Sequence, residues 1–287
     1  LPKRLLPEVK EELRVQYYYI DDVDEQQLAE SIAHRATLFI MNTRKQSQRL
    51  FLKMKENYPE RELYYLSTTI IGRERKRRLE AIKTAVKQGK RPIVVSTQVL
   101  EAGVDISFEV VYREIAPLPS IIQAAGRCKR YGEIDQGEAH VIECKQREKM
   151  PSNYETGIAQ VKTLMKEYGM NAFISKEARI SYYRRMVSNE EGQHHLPNVP
   201  FLFESTAKAF KMIDDHLVDV ICLKAPGFDR SLLNAPKTKK WWRIVQDFTV
   251  PLPKRLKSVQ EVEGIYIWEG PYYEDIGVSL LKGGDEG

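Results

Sequence analysis

The sequence predicts an α/β protein: a parallel sheet flanked by helices, followed by linker helices and a small β-rich C-terminal domain. Three observations carry that reading. Short apolar runs, rich in β-branched and aromatic residues, alternate with amphipathic helical stretches at intervals of roughly 15–30 residues, the mark of βαβ units. Several of those runs are apolar throughout, as strands covered on both faces must be. Beyond about residue 148 the alternation stops and a different pattern begins. The 287 residues suffice for about two domains, and the boundaries fall at 1–148, 149–200 and 201–287.

The first strand is VQYYYI (15–20). DDVDEQQLAESIAHR (21–35) opens with acids, which suit a helix N-terminus, and places Leu28, Ile32 and Ala33 on an apolar face. TLFIMN (37–42) is a buried strand, and TRKQSQRLFLKMKENY (43–58) is a helix with Leu50, Phe51 and Met54 at helical spacing. LYYLST (63–68) is the next strand. GRERKRRLEAIKTAVKQ (72–88) is a charged helix burying Leu79, Ile82 and Val86. PIVVST (92–97) and VVYREI (110–115) are strands, PSIIQAAGR (119–127) a helix behind Pro119, and GEAHVIEC (137–144) the closing strand. NYETGIAQVKTLMKEYG and SKEARISYYRRMVSN are helices, and NEEGQHHLPNVP is a linker. From Phe201, KAFKMIDDHLVDVICL, RIVQDFTVPL and GIYIWEGPYYEDIGVSL are short strands and turns.

Composition excludes little. A net charge of +5 admits nucleic acid as a partner without demanding it, since a well-solvated surface accounts for it equally. The three cysteines, Cys128, Cys144 and Cys222, are far apart with no C-x-x-C pair, so neither a zinc knuckle nor a disulfide framework is indicated. No apolar run approaches a membrane span of roughly 18 residues; no membrane partner is expected, and a cytoplasmic setting is. The N-terminal LPKRLLPEVKEELRVQ has no initiator Met and no secretory pattern, and reads as the middle of a longer polypeptide.

Two motifs carry chemistry. IIQAAGRCKRYGE (121–133) holds Gln123, Gly126, Arg127 and Arg130 in a Q-x-x-G-R-x-x-R spacing. On a helix, Gln123, Arg127 and Arg130 share a face, and two guanidiniums displayed together can clamp a phosphate. Gly126 admits a nucleotide or another backbone; a basic helix surface with an incidental glycine is the plainer alternative. Upstream, PIVVSTQVLEAGVDISFE (92–109) ends a buried strand in Ser96-Thr97-Gln98 and continues through Glu101, Gly103 and Asp105. Loops at the carboxyl ends of parallel strands bind ligands in α/β folds. Thr97 can donate to a phosphate, and Asp105 can accept from a ribose hydroxyl or orient an arginine.

Taken together, S-T-Q-V-x-E-x-G-x-D-I, a strand, then Q-x-x-G-R-x-x-R resembles motifs V and VI of superfamily 2 helicases, with TLFIMNTRKQSQ, including Asn42 and Thr43, in the position of motif IV. EAGVDISFE followed by EIAPLPSIIQAAGRCKRYGE resembles, more narrowly, the helicase-nuclease of type I CRISPR systems, in which an APL run precedes the glutamine and alanine often follows it, as Ala124 does. AFKMIDDHLVDVICL, DFTVPLP and GIYIWEGPYYEDIGVSL resemble that family's accessory domain, closing in a turn at Tyr273 to Val278 with Val in place of Leu. Near Thr69 the sequence departs from the family, which often places a basic residue there.

The resemblance implies a second RecA-like domain with motif IV–VI functions. Gln123, Arg127 and Arg130 would be catalytic; Gly103, Asp105 and Gly126 would contact ATP; Asn42, Thr43, Ser67, Thr97 and Arg73 would contact nucleic acid. It implies as partners single-stranded DNA, an N-terminal RecA-like half with or without an HD nuclease domain, and an RNA-guided surveillance complex. ATP and Mg²⁺ would be bound mainly by that other half. No G-x-x-x-x-G-K-[ST] and no D-E-x-[DH] occurs in the chain, so the chain alone is expected to lack ATPase activity. No metal site is expected; Asp214-Asp215-His216 is the tempting cluster, in a strand-like run where neighbours face opposite ways. His194-His195 falls in the linker. Two other readings stay open: a non-catalytic DNA-binding or docking module, and a superfamily 2 helicase acting on RNA.

Two basic clusters remain. Arg73, Arg75, Lys76, Arg77 and Arg78 open a helix, where their charge opposes the helix dipole, so either phosphate contact or a solvated face accounts for them. Lys237-Thr238-Lys239-Lys240-Trp241-Trp242-Arg243 mixes cations with indoles, which suits either single-strand stacking or two tryptophans packing a small core.

Overall fold

The computed structural model describes residues 15–30, 34–100, 105–128, 137–191 and 217–281. Within them the chain runs β1 (Val15–Val23), α1 (Glu25–Glu30), β2 (Thr37–Ile40), α2 (Arg44–Asn57), β3 (Leu63–Leu66), α3 (Gly72–Lys87), β4 (Ile93–Ser96), β5 (Val110–Glu114), α4 (Leu118–Ala125) and β6 (Gly137–Cys144). The six strands form one wholly parallel sheet in the order β1-β6-β5-β2-β4-β3. Every residue of β2, β4 and β5 is buried, which is why these strands read as continuous apolar runs.

Helices cover both faces. On one face Leu28, Phe39, Phe51, Met54 and Tyr65 make a core with α1 and α2; on the other Leu38, Ile82, Val94, Val111 and Ala124 make a second with α3 and α4. Thr43 caps α2 by accepting from the Gln46 amide. The helices expected as linkers, α5 (Ser152–Tyr168) and α6 (Lys176–Glu191), pack on the parallel domain: Ile158, Val161, Phe173 and Tyr182 join Ile121 of α4 and Val141 of β6 in a third core.

The C-terminal region holds a four-stranded mixed sheet, β8-β7-β10-β9, built from β7 (Leu217–Cys222), β8 (Thr249–Pro253), β9 (Val259–Val262) and β10 (Ile265–Trp268). β7 and β10 pair in parallel and the other pairs are antiparallel. RIV, in a stretch expected as short strands and turns, instead ends the helix α7 (Lys239–Val245), capped by Thr238. The capping Thr and the spacing of buried Trp241 and Val245, four residues apart, select helix over strand. Its core takes in Ile71 of the parallel domain alongside Val220, Phe248, Trp268 and Val278. Asp214-Asp215-His216 and His194-His195 lie outside the described residues.

Candidate nucleotide and nucleic-acid surfaces

β4 ends at Ser96, whose hydroxyl donates to Leu66 O at 2.9 Å, while the Thr97 amide donates to the same carbonyl at 3.2 Å. Ile40, Ser96 and Leu66 are in register across β2, β4 and β3. The residues that follow each of them, Asn42-Thr43, Thr97 and Ser67, therefore come together along the carboxyl rim. Ser67 is fully buried and Thr97 is 4% exposed, whereas Thr43, occupied as the α2 cap, is half-buried.

Asn42 is committed inside the chain. Its amide N–H donates to Glu114 Oε2 at 2.7 Å and its Nδ2 to Ile115 O at 2.8 Å. Its Oδ1 accepts from Arg113 Nη1 and from the Tyr154 hydroxyl, both at 2.7 Å, and its carbonyl accepts from Gln98 Nε2 at 3.1 Å. A side chain with its polar atoms so engaged is scaffold. It ties the end of β2 to the end of β5, to the loop after β4 and to α5.

Arg113 and Glu114, 2% and 0% exposed, are the residues sequence reasoning missed. Arg113 also donates to Glu114 O at 2.7 Å and to the Tyr154 hydroxyl at 2.9 Å; Glu114 Oε1 accepts from Gln46 Nε2 at 3.2 Å. Burial pushes the Glu114 carboxyl up, opposed by the Asn42 amide and Arg113. The signal was available: two adjacent opposite charges inside the buried run VVYREI demand partners.

The loop after β4 then returns to the amino end of β5. Asp105 is exposed there. Phe108 donates its N–H to Arg127 O at 2.8 Å and forms a parallel bridge with Cys128, so the Asp105 segment and the Arg127 segment are joined just ahead of β5. The helix expected over 119–127 is α4, which stops at Ala125. Gly126, Arg127 and Cys128 follow as a tightened turn with donors to Ile122, Ala124 and Ala125 carbonyls. The bridge to Phe108 draws the chain out of the helix. Gln123 and Gly126 are exposed, whereas Arg127 is 6% exposed and is engaged within the chain. Gln123 and Arg127 therefore do not present one open helical face. Gly103 and Arg130 lie outside the described residues.

Glycines fix α4 at both ends. A Cβ on Gly157 of α5 would come within 2.9 Å of Pro117, which precedes α4, and one on Gly137 within 2.6 Å of the Cys128 Cβ. Both are tighter than ordinary contact, so these glycines set how closely the neighbouring elements approach. Gly126 has helical φ and meets only its own helix's carbonyls, leaving an open surface beside Gln123.

Within the basic run at the head of α3, Arg78 and Lys76 reach across to the C-terminal domain. Arg78 Nη1 donates to Tyr65 O at 3.0 Å and to Asp275 O at 2.6 Å, and Nη2 donates to Glu274 O. Lys76 pairs with Asp247 at 2.8 Å, Arg75 donates to Ile70 O at 2.9 Å, and Arg77 pairs with Glu74 of its own helix. Arg73 is exposed and lies over Gly227 of the C-terminal domain. Gln48 completes the attachment: Nε2 donates to Val278 O and Oε1 accepts from the Leu280 amide, both at 2.8 Å.

All three cysteines are buried and unpaired with one another; burial drives the Cys128 and Cys222 thiols up to about 12 and Cys144 upward as well, so none is a ready thiolate. Among the described residues no cluster of His, Cys, Asp and Glu is arranged to hold a metal, and no helix is long and apolar enough to cross a membrane.

Comparison with known proteins places this architecture. Residues 33–133 match the family described as CRISPR-associated nuclease/helicase Cas3, C-terminal. A CRISPR-associated nuclease/helicase Cas3 of Haloferax volcanii is 52% identical over 50 residues, covering 17% of this chain and 5% of that protein. The crystal structure of T. fusca Cas3-AMPPNP matches 92% of this chain with a TM-score of 0.64 at 14% identity, and 42% of its own length is covered. A chain of a CRISPR RNA-guided surveillance complex, pre-nicking, matches 95% of this chain with a TM-score of 0.57 at 15% identity, with 43% of its length covered. At those identities the structural likeness shows the fold. The chain thus spans less than half the length of these relatives.

Proposed function

With residues 33–133 carrying the C-terminal domain of the Cas3-like nuclease/helicase family, we propose that this chain is the C-terminal half of an ATP-dependent single-stranded DNA translocase of CRISPR antiviral defence. The observation that carries the reading is the union of the Asp105 and Arg127 segments ahead of β5, while Thr43, Ser67 and Thr97 gather at the opposite end of the same sheet. The two ends are separated by the five residues of β5, roughly 17 Å. On this reading the Asp105–Arg127 end of the sheet faces the nucleotide and the carboxyl rim, braced by the Asn42–Arg113–Glu114 network, faces the nucleic acid.

ATP held mainly by a separate N-terminal RecA-like half supplies the free energy of phosphoanhydride hydrolysis, and Mg²⁺ belongs to that half as well. On this chain Gln123, Gly126 and Asp105 present exposed groups to the nucleotide, with Gly103 two residues earlier in sequence than Asp105, and with Arg127 and Arg130 supplying positive charge. Arg127 is almost covered in the isolated chain, so joining the other half must uncover it before it can meet a phosphate. An HD nuclease domain elsewhere in the longer protein and an RNA-guided surveillance complex are the proposed partners.

Substrate class is tested by fluorescence-anisotropy titration with single-stranded DNA and with RNA of the same sequence at fixed salt. Preference for the DNA is expected. A tenfold preference for the RNA would favour a helicase acting on RNA instead.

A further inference from the structure

We infer that Trp242, with Lys239, Lys240 and Arg243, forms a stacking site for single-stranded nucleic acid on the C-terminal domain, separate from the rim of the parallel sheet. The three tryptophans divide sharply. Trp241 is 3% exposed and Trp268 1%, and their indole N–H groups donate to Leu232 O at 2.6 Å and Pro271 O at 3.1 Å. Trp242 is 45% exposed. Packing the small domain accounts for the first two; it gives no reason to hold an indole in water. Trp242 meets Trp241 edge to face at 4.7 Å and 86°, which holds its ring in place without covering it.

The cations point the same way. Lys239 neighbours Trp242 and Arg243 at i+3 and i+4 on α7, and Lys240 neighbours Arg243 at i+3. Lys239, Lys240 and Arg243 are all exposed, and none has an ion-pair partner among the described residues. Lys239 and Lys240 open the helix, where positive charge opposes the dipole, so the local fold does not call for them. Lys237, just before α7, is different: it is bound to Glu263. An exposed, held ring among unpaired cations matches a base face and its phosphates.

Position supports the assignment. Gln246 and Asp247 directly follow α7, and their backbone lies against Gly72, the first residue of α3. The patch therefore adjoins the loop that leaves the carboxyl end of β3, so one strand can lie on both surfaces. In that respect the inference rests on the single-strand reading above.

The test uses the full chain, its intrinsic tryptophan fluorescence, and oligothymidylate of roughly 12 nucleotides, within the usual range of single-strand site sizes. Binding is expected to quench emission, because Trp242 is the well-exposed indole. Trp242→Ala is expected to weaken binding about 5- to 150-fold, the loss of one stacked base. Trp242→Phe is expected to retain most of the affinity while losing the quench. Lys239→Glu with Lys240→Glu is expected to lower the slope of log affinity against log salt by about 0.7 per lost phosphate contact. Thermal unfolding of each variant is compared with the parent to establish folding. If the folded chain binds the oligonucleotide and Trp242→Ala leaves both affinity and quench unchanged, the inference is overturned while the single-strand reading stands. If the chain binds no single strand at all, both fall, and an acidic protein surface becomes the occupant of the patch.

Discussion

Gly277 is pressed against Thr69: a Cβ on Gly277 would overlap the Thr69 carbonyl oxygen, the same atom that accepts the Val278 amide at 3.0 Å. The Thr69 hydroxyl returns a bond to Ile276 O at 3.0 Å. Gly277 also has a φ of 71°, in the left-handed region. Both reasons for glycine act at one residue, at the point where the C-terminal segment is laid on the loop after β3. Gly277→Ala is expected to destabilise the chain by about 2–5 kcal/mol, from left-handed strain together with overpacking. Denaturant midpoints measure it, and a change below about 0.5 kcal/mol would contradict the contact.

Arg78 and Arg77 are adjacent in sequence and opposite in role. Arg78 bonds carbonyls on both domains, whereas Arg77, 67% exposed in its side chain, pairs only with Glu74 three residues earlier. Arg78→Ala is expected to lower stability by about 1.5–3 kcal/mol, the range for hydrogen bonds to a charged group. Arg77→Ala is expected to stay within about 0.5 kcal/mol. Equal losses of DNA affinity in the two variants, with stability unchanged, would instead make the run a phosphate-binding surface.

Asn42→Ala leaves the Arg113 guanidinium and the Tyr154 hydroxyl short of a shared buried acceptor. The expected cost is about 2–4 kcal/mol, between an unsatisfied neutral group and a broken buried charge contact. The check is urea unfolding alongside DNA titration. Unchanged stability with weakened DNA binding would return Asn42 to the nucleic-acid surface.

Acid is expected to weaken the fold in two steps. His140 lies between Tyr18 and Tyr112 with ring centroids 4.8 and 4.7 Å away, and burial holds its pKa below 6.5. Its neutral form is favoured in the folded chain, so stability falls as pH drops below about 6.5, where the unfolded imidazole takes up its proton first. Glu138 is held down to about 2 by Arg35, with bonds at 2.6 and 2.8 Å. Its contribution is complete above its ordinary 4.5 and is lost as pH falls toward 2. Because Arg35 is 37% exposed, solvent screening limits that contribution to about 1 kcal/mol. Glu138→Gln should flatten the lower step of a stability–pH profile; an unaltered lower step would contradict the assignment.

The parallel sheet was legible because burial on both faces leaves unbroken apolar runs such as TLFI and IVVS, and because helix faces repeat at Leu50, Phe51 and Met54. The end of α4 was not, since the bridge between Phe108 and Cys128 is a tertiary contact that periodicity does not encode. The same holds for Arg75, Lys76 and Arg78. Composition marks them as basic, and only the fold reveals the carbonyls and the Asp247 carboxylate that receive them. Asn42 followed a strand, as the motif requires, but its commitment to Arg113 depends on β2 and β5 being neighbours, an order that chain sequence does not give.

The division of labour between the two halves is tested by DNA-stimulated ATP turnover, measured for this chain alone and for the same chain combined with a phosphate-loop-bearing N-terminal helicase half. No appreciable turnover by the chain alone is expected, with turnover in the combination and a loss of about 10³-fold or more when Arg127→Ala is introduced. Turnover by this chain alone, or a combination indifferent to Arg127→Ala, would contradict that division.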